Sequence, residues 1–252
     1  MILKSVRGNI WQVSECLVNE YYINIHLLEN DDNKIIKIAS IEDGPLFCEI
    51  NFYIRYCKEE MVKDVNILPY VDSGIDKYKK LRFLVLPKLD YNLKQISINN
   101  IYNLSKDIIF ALKYIHSKEY IHSDIKDENI LYDKNNNKFY LTDFGNITKH
   151  TKKFITNCKL VNNGTYKYIG IDMHNGISTY KSDLESFGYL LYDILYGLPW
   201  NNKLDKDIIN IKKDFIDNVI ICNNKLSKYF LYLSLIENDK NIEYVTLLKT
   251  LE

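Results

Sequence analysis

Hydrophobic and polar positions change rhythm along this chain. From Trp11 to His26, and again from Lys34 to Ala39, aliphatic and aromatic residues dominate, split by the turn-prone Glu29-Asn30-Asp31-Asp32-Asn33. That alternation of rich and turn-forming stretches predicts strands. After Gly44-Pro45, the residues Leu46, Ile50, Phe52, Tyr53 and Cys57 recur at helical spacing, with Glu49 among them. Arg82 to Leu86 is a compact apolar strand stopped by Pro87, which has no N–H to give a ladder. From Ile101 the period is that of an amphipathic helix, carried by Leu104, Ile108, Ala111, Leu112 and Ile115. Two short strands, Ile130 to Tyr132 and Phe139 to Thr142, flank the turn Lys134-Asn135-Asn136-Asn137, and helical spacing returns from Ser182 onward. The pattern predicts an α+β fold, a small β-rich part followed by a larger helical one. It shows no internal repeat and no long low-complexity linker.

Candidate chemistry concentrates in two stretches, YIHSDIKDEN at 120–129 and LTDFG at 141–145. Asp124 is suited to accept or orient a hydroxyl proton, Lys126 to neutralise a phosphoryl oxygen, and Asn129 to offer a neutral oxygen to a hard cation. Asp143 supplies a second oxygen ligand just past a strand. Gly145 beside it lets the backbone turn where a metal and phosphates approach. A positioned hydroxyl, a phosphate-bridging Mg²⁺ and fixed positive charge are the parts that phosphoryl transfer needs.

D-x-K-x-x-N followed by DFG resembles the catalytic loop and metal-binding segment of protein kinases. The resemblance implies a two-lobed kinase fold in a single domain, 1–252, with a β-rich N-lobe at about 1–88 and a helical C-lobe at 89–252. It implies Asp124 and Lys126 as catalytic residues, Asn129 and Asp143 as Mg²⁺ ligands, and ATP as phosphate donor. Lys34-Ile35-Ile36-Lys37-Ile38 looks like the strand whose lysine reaches the α- and β-phosphates, with Lys37 in that role and Glu49 on the next helix as its ion-pair partner. Leu86 is similar to the residue gating the adenine pocket, Leu89 to the one giving a hinge N–H to the base, and Leu17 and Ile25 flank the phosphate loop. Asp183 in KSDLESFGYLL resembles the helical Asp that holds the catalytic loop's backbone. Thr165 after Gly164 resembles the hydroxyl that bridges catalytic Asp and Lys in Ser/Thr kinases, which implies a protein substrate bearing Ser or Thr.

GPLFCEINFY, IDMHNG and SDLESFGYLLYDILYGLPW together resemble the vaccinia-related kinases of the casein-kinase group. His122-Ser123-Asp124 agrees, since that group lacks the Arg found before the catalytic Asp in most kinases. The likeness runs from about Trp11 to near the end of the chain, and its family includes poxviral members. One departure stands out. The glycine-rich phosphate loop should lie in LVNEYYINIHL at 17–27, where Val18, Glu20 and Ile23 occupy the expected glycine positions. Side chains there obstruct the approach of backbone N–H groups to phosphate, and the Glu20 carboxylate repels it. This departure supports a second reading, a pseudokinase that binds partners without transferring phosphate.

Composition narrows the context. Of the 252 residues 46% are hydrophobic and 26% charged, a globular balance that argues against disorder. Lys+Arg and Asp+Glu both number 33, so no nucleic-acid or polyanion partner is signalled. Cys16, Cys48, Cys57, Cys158 and Cys222 show no metal-ligand spacing and read as reduced thiols in a cytoplasmic or nuclear protein, the host cytoplasm if the chain is viral. The start MILKSVRGNIW lacks the apolar run of a signal peptide. The apolar stretch from Leu190 to Trp200 is broken by Asp193 and too short to span a bilayer.

Overall fold

The computed structural model describes residues 1–20, 22–29, 31–98, 101–151, 156–200, 207–237, 239 and 242–252. In chain order its strands are β1 (Ile2–Lys4), β2 (Ile10–Asn19), β3 (Asn24–Leu28), β4 (Lys34–Ser40), β5 (Asp72–Asp76), β6 (Leu81–Pro87), β7 (Tyr91–Asn92), β8 (Tyr120–Ile121), β9 (Ile130–Asp133), β10 (Lys138–Leu141) and β11 (Thr148–Lys149). Its helices are α1 (Gly44–Tyr56), α2 (Glu59–Val62), α3 (Ile101–Ser117), α4 (Tyr180–Tyr196), α5 (Ile208–Ile221), α6 (Ser227–Ser234) and α7 (Tyr244–Lys249). The chain divides into two compact units, Met1–Tyr91 with Leu131–Asn146, and Asn92–Ile130 with Ile147–Glu252.

The first unit is built on an antiparallel sheet in the order β1-β2-β3-β4-β6-β5. Its core is the inward set Leu3, Val13, Leu28, Ile36, Ile38, Phe83 and Val85. Such apolar side chains each contribute about 1.5–3 kcal/mol on burial. The strand pattern anticipated β2, β3, β4 and β6; it missed β1 and β5. Helix α1 begins at Gly44-Pro45, where proline's missing N–H costs nothing. It buries Leu46, Glu49, Phe52 and Tyr53 at i, i+3, i+6 and i+7. Phe144 packs on two of these, its ring centroid 4.6 Å from Phe52 and 5.2 Å from Tyr53.

The second unit is mainly helical. In α3 the stripe Leu104, Ile108, Ala111, Leu112 and Ile115 is wholly buried, as its period predicted. Helix α4 is capped by the Thr179 hydroxyl, which accepts the Ser182 N–H. Asp239 adds a second cap from far along the chain, accepting the N–H groups of Tyr180 at 2.6 Å and Lys181 at 3.0 Å. Carboxylate oxygens there satisfy orphan donors and suit the positive end of the helix dipole. Tyr189, Trp200, Phe215 and Phe230 meet edge to face or tilted at 5.0–6.0 Å in the core of this unit. Among the described residues no helix is long and apolar enough to cross a membrane.

Candidate active site

Lys37 lies mid-strand in β4, opposite Ile25 of β3 and Leu84 of β6. Its side chain is 8% exposed and that of Glu49 1%. A buried ammonium persists only if paired, and the pairing is bidentate: Nζ donates to Glu49 Oε1 at 2.8 Å and Oε2 at 3.1 Å. Asp143 Oδ1 stands 4.0 Å from the same nitrogen. Burial pulls the Lys37 pKa down, but the carboxylates of Glu49 and Asp143 outweigh it, and the net direction is upward. The lysine is a fixed cation in the first unit.

Asp143 follows β10, whose end is held by the Leu141 N–H on the Asn66 carbonyl at 3.0 Å. Its φ is 65°, a left-handed conformation uncommon outside glycine but better tolerated by Asp and Asn than by most residues. The carboxylate accepts the Gly145 N–H at 3.2 Å. A Cβ on Gly145 would sit 3.2 Å from both Asp143 Oδ1 and Pro45 Cβ, so glycine preserves this turn against the start of α1. The Asp143 side chain is 41% exposed.

The remaining first-unit candidates lie on neighbouring strands or just beyond them. Leu86 is buried in β6 opposite Ile35, and Leu89 is half-buried just beyond that strand. Leu17 is exposed on β2, and Val18 pairs with Ile25. The β2–β3 connection is a tight hairpin: Asn19 faces Asn24, and the Glu20 N–H donates to the Ile23 carbonyl at 3.1 Å. Val18 therefore lies within the strand ladder, with Glu20 and Ile23 closing the turn. Glu20 is close enough for its charge to act on Lys37.

In the second unit the catalytic-loop stretch is suspended from one buried carboxylate. Asp183 of α4 is fully buried and accepts the N–H of His122 at 2.7 Å, the N–H of Ser123 at 2.9 Å and Nε2–H of His116 at 2.9 Å. His116 Nδ1 in turn accepts the Tyr244 hydroxyl at 2.6 Å. Ser123 takes a φ of 71° in the bend this creates. Asp124 then projects with both oxygens engaged. Oδ1 accepts the Thr165 hydroxyl at 2.7 Å and its N–H at 2.9 Å, and Oδ2 lies 3.3 Å from Lys126 Nζ. Gly164, at φ 105°, makes the close pass possible, since a Cβ there would fall 2.1 Å from the Ser123 carbonyl oxygen. The Asn129 amide nitrogen donates to the Asp124 carbonyl at 2.9 Å, which orients its oxygen as the atom suited to a cation.

The donor types available in each unit suit Mg²⁺. Among the described residues no group of three or more His, Cys, Asp or Glu could hold a metal by itself. Asp143 in the first unit offers a carboxylate and Asn129 in the second an amide oxygen, and each is a donor type that suits an ion which keeps water and takes nucleotide phosphates as its other ligands.

His116, Asp239 and Lys212 were not foreseen from sequence. For Lys212 a signal existed: it stands on the apolar stripe of α5 with Ile208, Phe215 and Val219, all buried.

The protein kinase domain family model matches residues 67–238. This chain belongs to the protein kinase family. The match begins beyond Lys37, Glu49 and the β2–β3 hairpin. The kinase is 32% identical to the "Probable serine/threonine-protein kinase FPV212" of fowlpox virus, over 86% of this chain and 82% of that relative. It is 30% identical to the "Serine/threonine-protein kinase VRK2" of Homo sapiens, over 84% of this chain and 48% of that protein. The solved structure titled "Structure of vaccinia related kinase 3" superposes with a TM-score of 0.87 at 24% identity, covering 100% of this chain and 89% of that one. These likenesses place the kinase with the vaccinia-related relatives whose motifs its sequence resembles.

Proposed function

We propose that the chain is a serine/threonine kinase that transfers the γ-phosphate of ATP to a protein hydroxyl. The observation that carries this is the setting of Asp124: a carboxylate held on one side by both donors of Thr165 and on the other by Lys126. Asp124 orients the acceptor hydroxyl and takes its proton as the oxygen attacks phosphorus. Lys126 offsets charge on the transferred phosphoryl oxygens. Lys37, fixed by Glu49, neutralises the α- and β-phosphates. Asp143 and Asn129 would hold Mg²⁺, which would supply positive charge to neutralise the phosphates. Leu17, Ile25, Leu86 and Leu89 complete the nucleotide-binding residues, Leu86 gating the adenine pocket and Leu89 giving the base its backbone N–H.

The partners on this reading are ATP and a Ser/Thr-bearing protein, with no membrane and no direct nucleic-acid binding signal, and the setting is the cytoplasm or nucleus. The glycine-free hairpin favours a second reading, a pseudokinase that binds partners. Against it stands the complete set of proton-, metal- and phosphate-handling side chains.

The test is transfer of radiolabel from γ-labelled ATP to casein or a basic protein, with Mg²⁺ present or chelated. Label should appear with the native chain and Mg²⁺, and vanish in Asp124→Ala. Equal labelling by Asp124→Ala would refute the assignment.

A further inference from the structure

Helix α5 carries a charge on its buried face. Ile208, Lys212, Phe215 and Val219 recur at the spacing that turns inward, and Lys212 is 0% exposed. An ammonium has three donors and no acceptor, so burial is tolerated only when the donors are used. Lys212 Nζ donates to the Ile169 carbonyl at 2.6 Å, to His174 Nε2 at 3.1 Å and to the Tyr166 carbonyl at 3.3 Å. The rings of Tyr189 and Trp200 lie 5.1 and 5.5 Å from it, adding cation–π attraction. His174 Nδ1–H donates to Asn162 Oδ1 at 2.7 Å, which leaves Nε2 as the acceptor and fixes the tautomer.

All three acceptors come from one short stretch, 166–174, which directly follows Thr165. Thr165 touches Asp124, so this backbone begins beside the carboxylate assigned to the acceptor hydroxyl. The same stretch is tied from α4: the Ile171 N–H donates to Glu185 Oε2 at 2.9 Å. Gly170 allows that approach, since a Cβ there would lie 2.9 Å from Glu185 Oε2 and from Ser182 Cα. An apolar side chain in place of Lys212 would fill the space yet leave two inward carbonyls and an imidazole nitrogen without a donor.

We propose that Lys212 is a positioning residue for the protein substrate, clamping the 166–171 backbone in the shape that receives the polypeptide around the acceptor hydroxyl. This rests on the kinase reading above. Lys212 acts through the carbonyls it holds, so its loss falls on the protein acceptor and spares ATP.

The experiment compares the native chain with Lys212→Met, Lys212→Gln and the exposed neighbour Lys213→Met. Steady-state kinetics with casein and ATP are measured alongside hydrogen exchange of the substrate-free proteins. Lys212→Met is expected to raise the casein KM by about tenfold or more while the ATP KM stays within about twofold. Amides of 166–174 should exchange faster, with those of 121–129 as in the native chain. Lys212→Gln retains two donors and should fall between, and Lys213→Met should match the native chain. The proposal is overturned if both KM values move together, if neither moves in a folded variant, if exchange quickens throughout the helical unit, or if neither Lys212 variant folds. A native chain that transfers no phosphate defeats the kinase reading instead. The exchange pattern then decides the clamp alone: faster exchange confined to 166–174 supports it, and any other pattern overturns it.

Discussion

Thr165 meets Asp124 with both of its donors, the hydroxyl at 2.7 Å and the backbone N–H at 2.9 Å from the same oxygen. The hydroxyl bond is charge-assisted, and bonds of that kind are about twice as strong as neutral ones. Valine at 165 keeps the N–H and the shape but not the hydroxyl, so Asp124 retains one tether and gains rotational freedom. Thr165→Val is expected to lower kcat by about ten- to a hundredfold, at or below the roughly hundredfold lower end of what general-base catalysis contributes, because Asp124 itself remains, and Thr165→Ser to restore most of it. Initial rates at saturating ATP decide the matter. A valine variant as fast as the native chain would show that the hydroxyl is dispensable.

The Lys37–Glu49 pair makes a prediction about stability as well as chemistry. Both side chains are nearly inaccessible, so removing one partner strands the other's charge. Glu49→Leu is expected to cost about 3–5 kcal/mol in urea unfolding. The double variant Lys37→Met/Glu49→Leu should recover much of that, because two apolar groups leave no charge to desolvate. Neither variant should transfer phosphate at the native rate. A double variant less stable than Glu49→Leu would mean that the pair is worth more than its desolvation cost.

What was legible in the sequence was what depends on near neighbours. The stripe of α3 is a short-range pattern, and its residues are buried as its period implies; the D-x-K-x-x-N and DFG stretches are short-range patterns too. Strand β5 was not legible, because DSGID is made of turn-forming residues. It is a strand through distant partners: Asp72 accepts Trp11 Nε1–H at 2.9 Å and Asn9 Nδ2–H at 2.8 Å. Gly74 makes room for Phe83, whose ring lies 2.6 Å from where a Cβ would be. Asp239 capping α4 is equally remote, with no local pattern to announce it. Thr165 was legible only as a resemblance; its double contact with Asp124 needs the left-handed Gly164.

Glu185 yields a pH prediction. Burial pushes its carboxyl up to about 7 from an ordinary 4.5. Between those values the folded chain therefore binds more protons than the unfolded one, and stability from this group falls as pH rises from 4.5 to 7. The span corresponds to about 3 kcal/mol. Lys212, lowered by burial to about 7, works on the other side of neutrality, where stability rises with pH from 7 to its ordinary 10.5, and its three-donor ammonium form prevails below pH 7. Glu185→Gln keeps an oxygen for the Ile171 N–H and removes the titration. Urea unfolding at pH 5 and pH 7.5 should show the Gln variant gaining on the native chain as pH rises. Parallel profiles for the two proteins would defeat this assignment.

The β2–β3 hairpin separates the two functional readings. Val18 is committed to the ladder opposite Ile25, and Glu20 and Ile23 close the turn through the Glu20 N–H. A backbone paired with itself does not present those N–H groups to phosphate, and Glu20 adds negative charge within range of Lys37. Glu20→Gln removes only the charge, and it is expected to tighten ATP binding by about two- to fivefold at low salt, less at high salt where exposed charges are screened. Changing Val18, Glu20 and Ile23 together to Gly also loosens the ladder, lets N–H groups turn toward phosphate and should raise transfer to casein further. Asp124→Ala should abolish transfer in both backgrounds, since hydroxyl orientation depends on that carboxylate and not on the hairpin. A pseudokinase behaves otherwise: no label moves before or after the glycine changes, in proteins whose melting is cooperative, and partner binding survives Asp124→Ala. That result would make the hairpin a closed door, with the catalytic-loop residues retained for their part in the fold.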